Sequence, residues 1–266
     1  GTLYQDDTPV TLFESSHDGM GVFFFTPDTE KKYRIELEDG TCYSLPEIYP
    51  QGMTLSLSKQ DKKNLEFFIS QTEGSPAQEV CLVGQVICCV AKGVLKDRLK
   101  IKMPLSEFFY QGIAEFTLFN GDMQPVAERL VYVHPEKKLQ INIEPDKKTY
   151  ALREKATLKI KVTDGNGVPV KTNLGLSVFD KAYINPADPV NILTHCYLSS
   201  QIRGKIHNPL YYFDEKNKDR MQAMDLLLLT QGWRRYVWNI EYAPDNENLF
   251  LSDEIIGIQS INSKKK

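Results

Sequence analysis

At 266 residues the chain is long for one β-sandwich and suits two or three modules of about 100 residues each. Charged residues make up 25% and hydrophobic residues 41%, the balance of a folded chain. A net charge of −3 excludes a general electrostatic attraction to nucleic acid or anionic lipid, and Lys264–Lys266 reads as a solvated tail or linker. No apolar run approaches the roughly 20 residues of a membrane helix. The longest, Val80 to Leu95, is broken by Gly84, Gln85, Lys92 and Gly93. No signal peptide is present, and the first residue is Gly1 rather than Met, so the chain reads as a trimmed piece and its start does not argue for the cytoplasm.

Five cysteines (Cys42, Cys81, Cys88, Cys89 and Cys196) form neither an even framework nor a CxxC pair. Adjacent Cys88 and Cys89 point to opposite faces of a strand, which suits packing better than chelation. A single bridge from Cys81 to another strand is left open.

Taken in chain order, Val10–Phe13, Gly21–Thr26 and Lys32–Leu37 read as strands, with Asp39-Gly40 closing the third. Ser44 to Gly52, holding Pro46, Pro50 and Gly52, reads as a connection. Residues 1–52 are too short for a whole sandwich and are read as the C-terminal part of a truncated one. A complete module is expected over 53–135, with strands at Thr54–Ser58, Leu65–Ser70, Glu79–Val90, Arg98–Met103, Gly112–Asn120 and Ala127–His134. Pro104–Phe109 reads as a turn or short helix.

A third module is expected over 136–250. Within Lys155–Thr163, Ala156, Leu158, Ile160 and Val162 alternate with Lys159, Lys161 and Thr163. Asp164-Gly165-Asn166-Gly167 supplies hairpin chemistry, and Val168–Phe179 reads as the returning strand. Asn185-Pro186, Asp188-Pro189 and Asn208-Pro209 mark turns. The one expected helix is Arg220–Thr230, where Met221, Met224, Leu227 and Leu228 recur at helical spacing behind Asp219 as N-cap. Leu249–Ile261 holds an expected edge strand, and 251–266 is read as a linker or the first strand of a following domain. The fold class is therefore all-β: tandem immunoglobulin-like or macroglobulin-type β-sandwiches, with a helical segment in the last module.

Several of these stretches resemble the macroglobulin-type modules of the α2-macroglobulin superfamily, especially its bacterial branch. The stretches are Pro145 to Tyr150 with Glu154, Val162-Thr163-Asp164-x-x-Gly167-x-Pro169-Val170, and Asn173-Leu174-x-Leu176-Ser177-Val178-x-Asp180. Gly112 to Phe119 and Pro125 to Val133 are similar to the closing hairpin of such a module, and Gly19 to Pro27 with Tyr33 to the end of another. Leu198 to Gly204 and Leu229 to Tyr236 are similar to a segment of large Gram-negative envelope proteins. In those, such modules precede a carboxypeptidase-regulatory-like domain and a TonB-dependent receptor plug. The resemblance implies a periplasmic, outer-membrane-associated or cell-surface location. The Cys-Gly-Glu-Gln of thioester-bearing members is absent, since Cys81 is followed by Leu82-Val83-Gly84-Gln85.

The residues give no catalytic constellation. His17 precedes a turn, His134 stands at a module junction, and the neighbours His195 and Cys196 diverge if extended. Asp164-x-Asn166 opens like a calcium loop, but Gly175 stands where its Glu belongs. Asp245-Asn246-Glu247-Asn248 is an acidic loop of a common kind. No catalytic residue, metal ligand or cofactor is assigned, and no enzyme is expected.

The candidate interaction surface is Trp233, Arg234, Arg235, Tyr236 and Trp238, extended by Tyr211 and Tyr212 beside Phe213. Its bland alternative is that both tryptophans anchor the helical segment on its own sandwich. Expected partners are other domains of the parent chain, with outer-membrane proteins, proteases or glycans as further candidates. Nucleic acid is not expected, and neither is a transmembrane segment.

Overall fold

The computed structural model describes residues 1–84, 89–178, 180, 182, 191–232 and 258–260. Antiparallel strands dominate, and few residues are helical. Among the described residues no helix is long and apolar enough to cross a membrane.

The opening unit is a four-stranded sheet in the order β2-β1-β3-β4, made of β1 (Thr2–Gln5), β2 (Thr8–Leu12), β3 (Tyr33–Glu36) and β4 (Cys42–Ser44). Residues 21–26 alternate as expected of a strand but form none. Phe23 and Phe25 instead stack in a row between Phe13 and Tyr33, with centroids 5.1 to 5.7 Å apart. Side-chain alternation is satisfied there without a hydrogen-bonded ladder. At the tip of this stretch Asp18 and Gly19 both take positive φ, 48° and 72°, and Met20 donates its N–H to the His17 carbonyl. That is the two-residue turn that Asp-Gly favours.

The central unit holds two sheets. One is β5 (Met53–Gln60), β6 (Asn64–Gln71) and β9 (Arg98–Pro104) in the order β5-β6-β9. The other runs β11-β10-β7-β8-β14, from β7 (Gln78–Gly84), β8 (Cys89–Leu95), β10 (Gly112–Phe119), β11 (Pro125–Val133) and β14 (Ile258–Ser260). A helical turn at Leu105–Glu107 stands where a turn or short helix is expected. Leu65, Phe67 and Ile69 of the first sheet meet Val80, Leu82, Phe116 and Val131 of the second in one buried cluster. Full burial of each such side chain stabilises by about 1.5–3 kcal/mol.

The single strand expected at Glu79–Val90 is two strands, β7 and β8, paired antiparallel with Gly84 opposite Cys89. At the end of β7 the backbone runs close to two rings: a Cβ on Gly84 would sit 3.1 Å from the Phe116 ring and 3.4 Å from that of Phe108, a tight fit that asks the rings to give by a few tenths of an ångström. Of the expected edge strand at Leu249–Ile261, Ile258–Ser260 pairs with β8, while residues 249–257 and 261 lie outside the described set.

Beyond β11 stands a two-stranded sheet of β12 (Gln140–Pro145) and β13 (Leu158–Thr163). The expected hairpin turn follows: Gly167 takes φ 81°, and Asp164 Oδ1 accepts from the N–H groups of Asn166 and Val168. The carboxylate at the head of the calcium-loop-like stretch is thus held by its own turn. The strand expected at Val168–Phe179 is not formed over the described residues 168–178, apart from one bridge between Thr163 and Pro169.

Residues 191–232 hold short helical turns and one longer helix, joined by irregular stretches. Asn191 caps α1 (Ile192–Thr194) in a reciprocal box with Thr194, a π-helical turn follows at His195–Ser199, and a 3-10 turn spans Pro209–Phe213. Asn208 takes φ 40° ahead of Pro209, making the expected turn. Helix α2 (Arg220–Gln231) lies where the periodicity predicts.

Candidate interaction site

Strand β10 and the second half of β11 are covered on both faces, which explains their nearly continuous apolar runs. Alternation sorts the side chains: Val131 and Val133 enter the central core, while Leu130 and Tyr132 join Ile113 on the outer face. There they meet Ala223, Met224, Leu227 and Leu228 of α2, with Leu198, Ile202 and Tyr212 from the preceding turns. The helical segment is a third layer laid on the outer face of β10 and β11.

A buried cation pins that layer. The Arg129 side chain is 5% exposed, donates from Nη1 to the Leu130 carbonyl at 2.9 Å, and pairs through Nη2 with Asp225 Oδ1 at 2.5 Å. Its Nε has no hydrogen-bond partner among the described residues. A guanidinium so placed depends on the Asp225 carboxylate, because removing the partner leaves a poorly compensated buried charge. Gln60 ties β5 to the same strand by donating to the Tyr132 carbonyl at 2.8 Å. Gln111 donates to the Tyr132 hydroxyl at 2.7 Å, and burial, the largest influence, pushes that phenol well above the ordinary tyrosine range.

The opening unit reaches the same layer through its Asp18-Gly19 turn. The His17 ring stacks on Tyr211 with centroids 3.7 Å apart and planes 14° from parallel, and meets the edge of Tyr212 at 5.3 Å. Met20 packs against the cluster, and the Thr230 hydroxyl lies 3.1 Å from its sulfur. Tyr211 donates its hydroxyl to both oxygens of Asp219 at 2.7 Å. This contact corrects the expected cap: Asp219 precedes α2, but its carboxylate serves Tyr211 and makes no capping bond. Lys138, just past β11, pairs with Glu215 between the 3-10 turn and α2.

Tyr211 and Tyr212 therefore stand at a junction within the chain. Tyr212 is 2% exposed, its hydroxyl has no hydrogen-bond partner among the described residues, and burial followed by the charge of Asp18 pushes its phenol up to about 12. Trp233, Arg234, Arg235, Tyr236 and Trp238 lie outside the described residues, as do Asn185 to Pro189 and Asp245 to Asn248.

The remaining histidines have structural partners or stand apart. His134 is buried, with Nδ1 2.9 Å from Glu136 Oε1 and Nε2 2.9 Å from the Leu105 carbonyl. Cys196 is exposed beside His195 on the π-helical turn, and Cys42, Cys81 and Cys196 are free thiols. Burial raises the Cys81 thiol above its ordinary range, the opposite of what a nucleophile requires. Among the described residues no three His, Cys, Asp or Glu side chains gather to hold a metal ion.

Sequence patterns alone do not single out His17 as a contact residue, nor Met20 or the Arg129–Asp225 pair. Two signals for them exist: a lone arginine ahead of Leu130–Val133 calls for a buried partner, and Asp18-Gly19 marks a projecting turn. No family model, curated protein or solved structure matches the chain.

Proposed function

We propose that this chain is a structural and interaction segment of a larger bacterial envelope protein, built to space and orient neighbouring domains rather than to catalyse. The central unit is read as a macroglobulin-type, immunoglobulin-like β-sandwich, its two sheets closing over one core, and the parent is linked to TonB-dependent outer-membrane transport. The observation that carries the spacing role is the junction. One helical layer holds Met20 of the opening unit against Thr230, His17 against Tyr211, and Arg129 of the central unit against Asp225. A linker left free between modules lets them reorient, whereas a packed layer in which the buried Arg129 pairs with Asp225 fixes one arrangement. The resemblance of residues 112–133 and 145–180 to macroglobulin-type modules supports the family reading.

The test is the parent reading frame, confirmed by mass spectrometry of the native protein from isolated envelopes. A regulatory-like domain and receptor plug downstream are the expected result. A downstream Cys-Gly-Glu-Gln would make the chain part of a protease trap, and recovery from the cytosol alone would end the envelope assignment.

A further inference from the structure

The backbone of β13 sorts by parity. Asp146 donates its N–H to the Thr157 carbonyl at 2.9 Å, so odd-numbered residues of that strand direct their backbone groups toward β12. Even-numbered Leu158, Ile160 and Val162 direct theirs to the opposite edge, which no strand of the two-stranded sheet occupies. After the 164–167 turn the chain starts back along that edge. Asp164 donates to the Val168 carbonyl at 2.9 Å, and Val170 donates to the Val162 carbonyl at 3.1 Å. Pairing stops there, and Leu174, Leu176 and Val178 stand 48%, 60% and 83% exposed.

We propose that residues 168–178 are a strap that closes as the third strand of this sheet, on the free edge of β13, in the register the Thr163–Pro169 bridge already sets. Continuing that register pairs Ile160 with Thr172 and Leu158 with Leu174. Parity then turns Leu174, Leu176 and Val178 to the face that carries Ile141 and Ile143, themselves half exposed. A slip of one residue would turn all three onto the face of Lys159 and Lys161, so only one register suits the sequence. Pro169 agrees with it. Its bridge falls between two hydrogen-bonded pairs, so the N–H that proline lacks would point away from β13, as an outermost strand permits. The occupant is the chain's own segment because the turn is already closed, and zipping onward carries little further loop-closure entropy. Closure fixes the line along which the chain leaves this sheet ahead of the helical layer. The inference rests on register alone and stands apart from the envelope reading.

Paired cysteines test it. Lys159→Cys with Asn173→Cys sets two thiols opposite each other in a non-hydrogen-bonded pair, the geometry a disulfide accepts, and both positions are exposed. Lys159→Cys with Leu174→Cys sets them on opposite faces. Each full-length variant is oxidised mildly, digested and analysed by mass spectrometry for the peptide joined at the two introduced thiols. The proposal predicts that the first pair yields about tenfold more of that peptide, or better, than the second. Equal yields, no joined peptide in either variant, or capture of the introduced thiols by Cys42 or Cys196 instead would each overturn it.

Discussion

Two antiparallel strand pairs of this chain, β10 with β11 and β12 with β13, meet different fates. Along β10 and the second half of β11 both faces are buried, one against the three-stranded sheet of the central unit and one against α2 and its preceding turns. Along β12 every residue is exposed, and Ile141 and Ile143 stand opposite Val162 and Ile160 of β13. Alternation states which side of a strand prefers burial. Whether burial happens depends on a second layer, and only the central unit has one on each side.

That contrast predicts a graded set of energies. Phe116→Ala, at the centre of the buried cluster and in ring contact with Phe67 and Phe108, is expected to cost about 3–5 kcal/mol in urea unfolding. Ile143→Ala on β12 is expected to cost less than about 0.5 kcal/mol, the scale of surface changes. Similar costs at the two positions would remove the contrast.

Next in size is the ion pair. Asp225→Ala strands the Arg129 guanidinium and is expected to cost roughly 3 kcal/mol. Arg129→Met combined with Asp225→Leu should recover most of that loss, because the larger part is the unpaired charge rather than the attraction. A double variant as unstable as Asp225→Ala would place the cost in packing instead.

A smaller effect, about 1 kcal/mol, is expected for Tyr211→Ala, which removes the stack on His17 and the hydroxyl bond to Asp219 together. Tyr211→Phe keeps the stack and should lose only part of it. A separate effect is a pH dependence. The Tyr212 phenol rises from the ordinary 10.0 to about 12 in the folded chain. Between those values the unfolded chain has lost a proton that the folded one keeps, so stability is full below pH 10 and falls as pH rises toward 12. Tyr212→Phe should make the fall across that window shallower, with the buried Tyr132 phenol supplying the part that remains. It should also be neutral or slightly stabilising near neutral pH, since the hydroxyl it removes has no hydrogen-bond partner among the described residues. A steeper loss in the Phe variant would contradict the assignment.

Strands with a clean period and a defined turn are legible in the residues themselves: β5, β6, β9, β10, β11 and β13, together with α2, follow from alternation, helical spacing and Gly or Asp signals. The all-β class follows from the same patterns. What stays hidden depends on contacts between distant residues. Glu79–Val90 reads as one strand until the pairing of β7 with β8, Gly84 opposite Cys89, shows two. Residues 21–26 alternate like a strand, yet their phenylalanines stack without a ladder. The junction is half visible: Tyr211 and Tyr212 stand out by composition, but no local pattern brings His17 and Met20 to them from the other end of the chain. Asp219 shows the same limit, since a good capping residue by type is taken by a tyrosine hydroxyl that only the fold supplies.

The central claim is that the helical layer holds the opening unit against the central one, and small-angle scattering tests it most directly. Wild type would be compared with a variant carrying Met20→Asp and Tyr211→Ala, with circular dichroism checking that strand content is kept. A larger radius of gyration and a more extended pair-distance distribution in the variant are the predicted result. An unchanged profile would mean that this junction does not orient the two units.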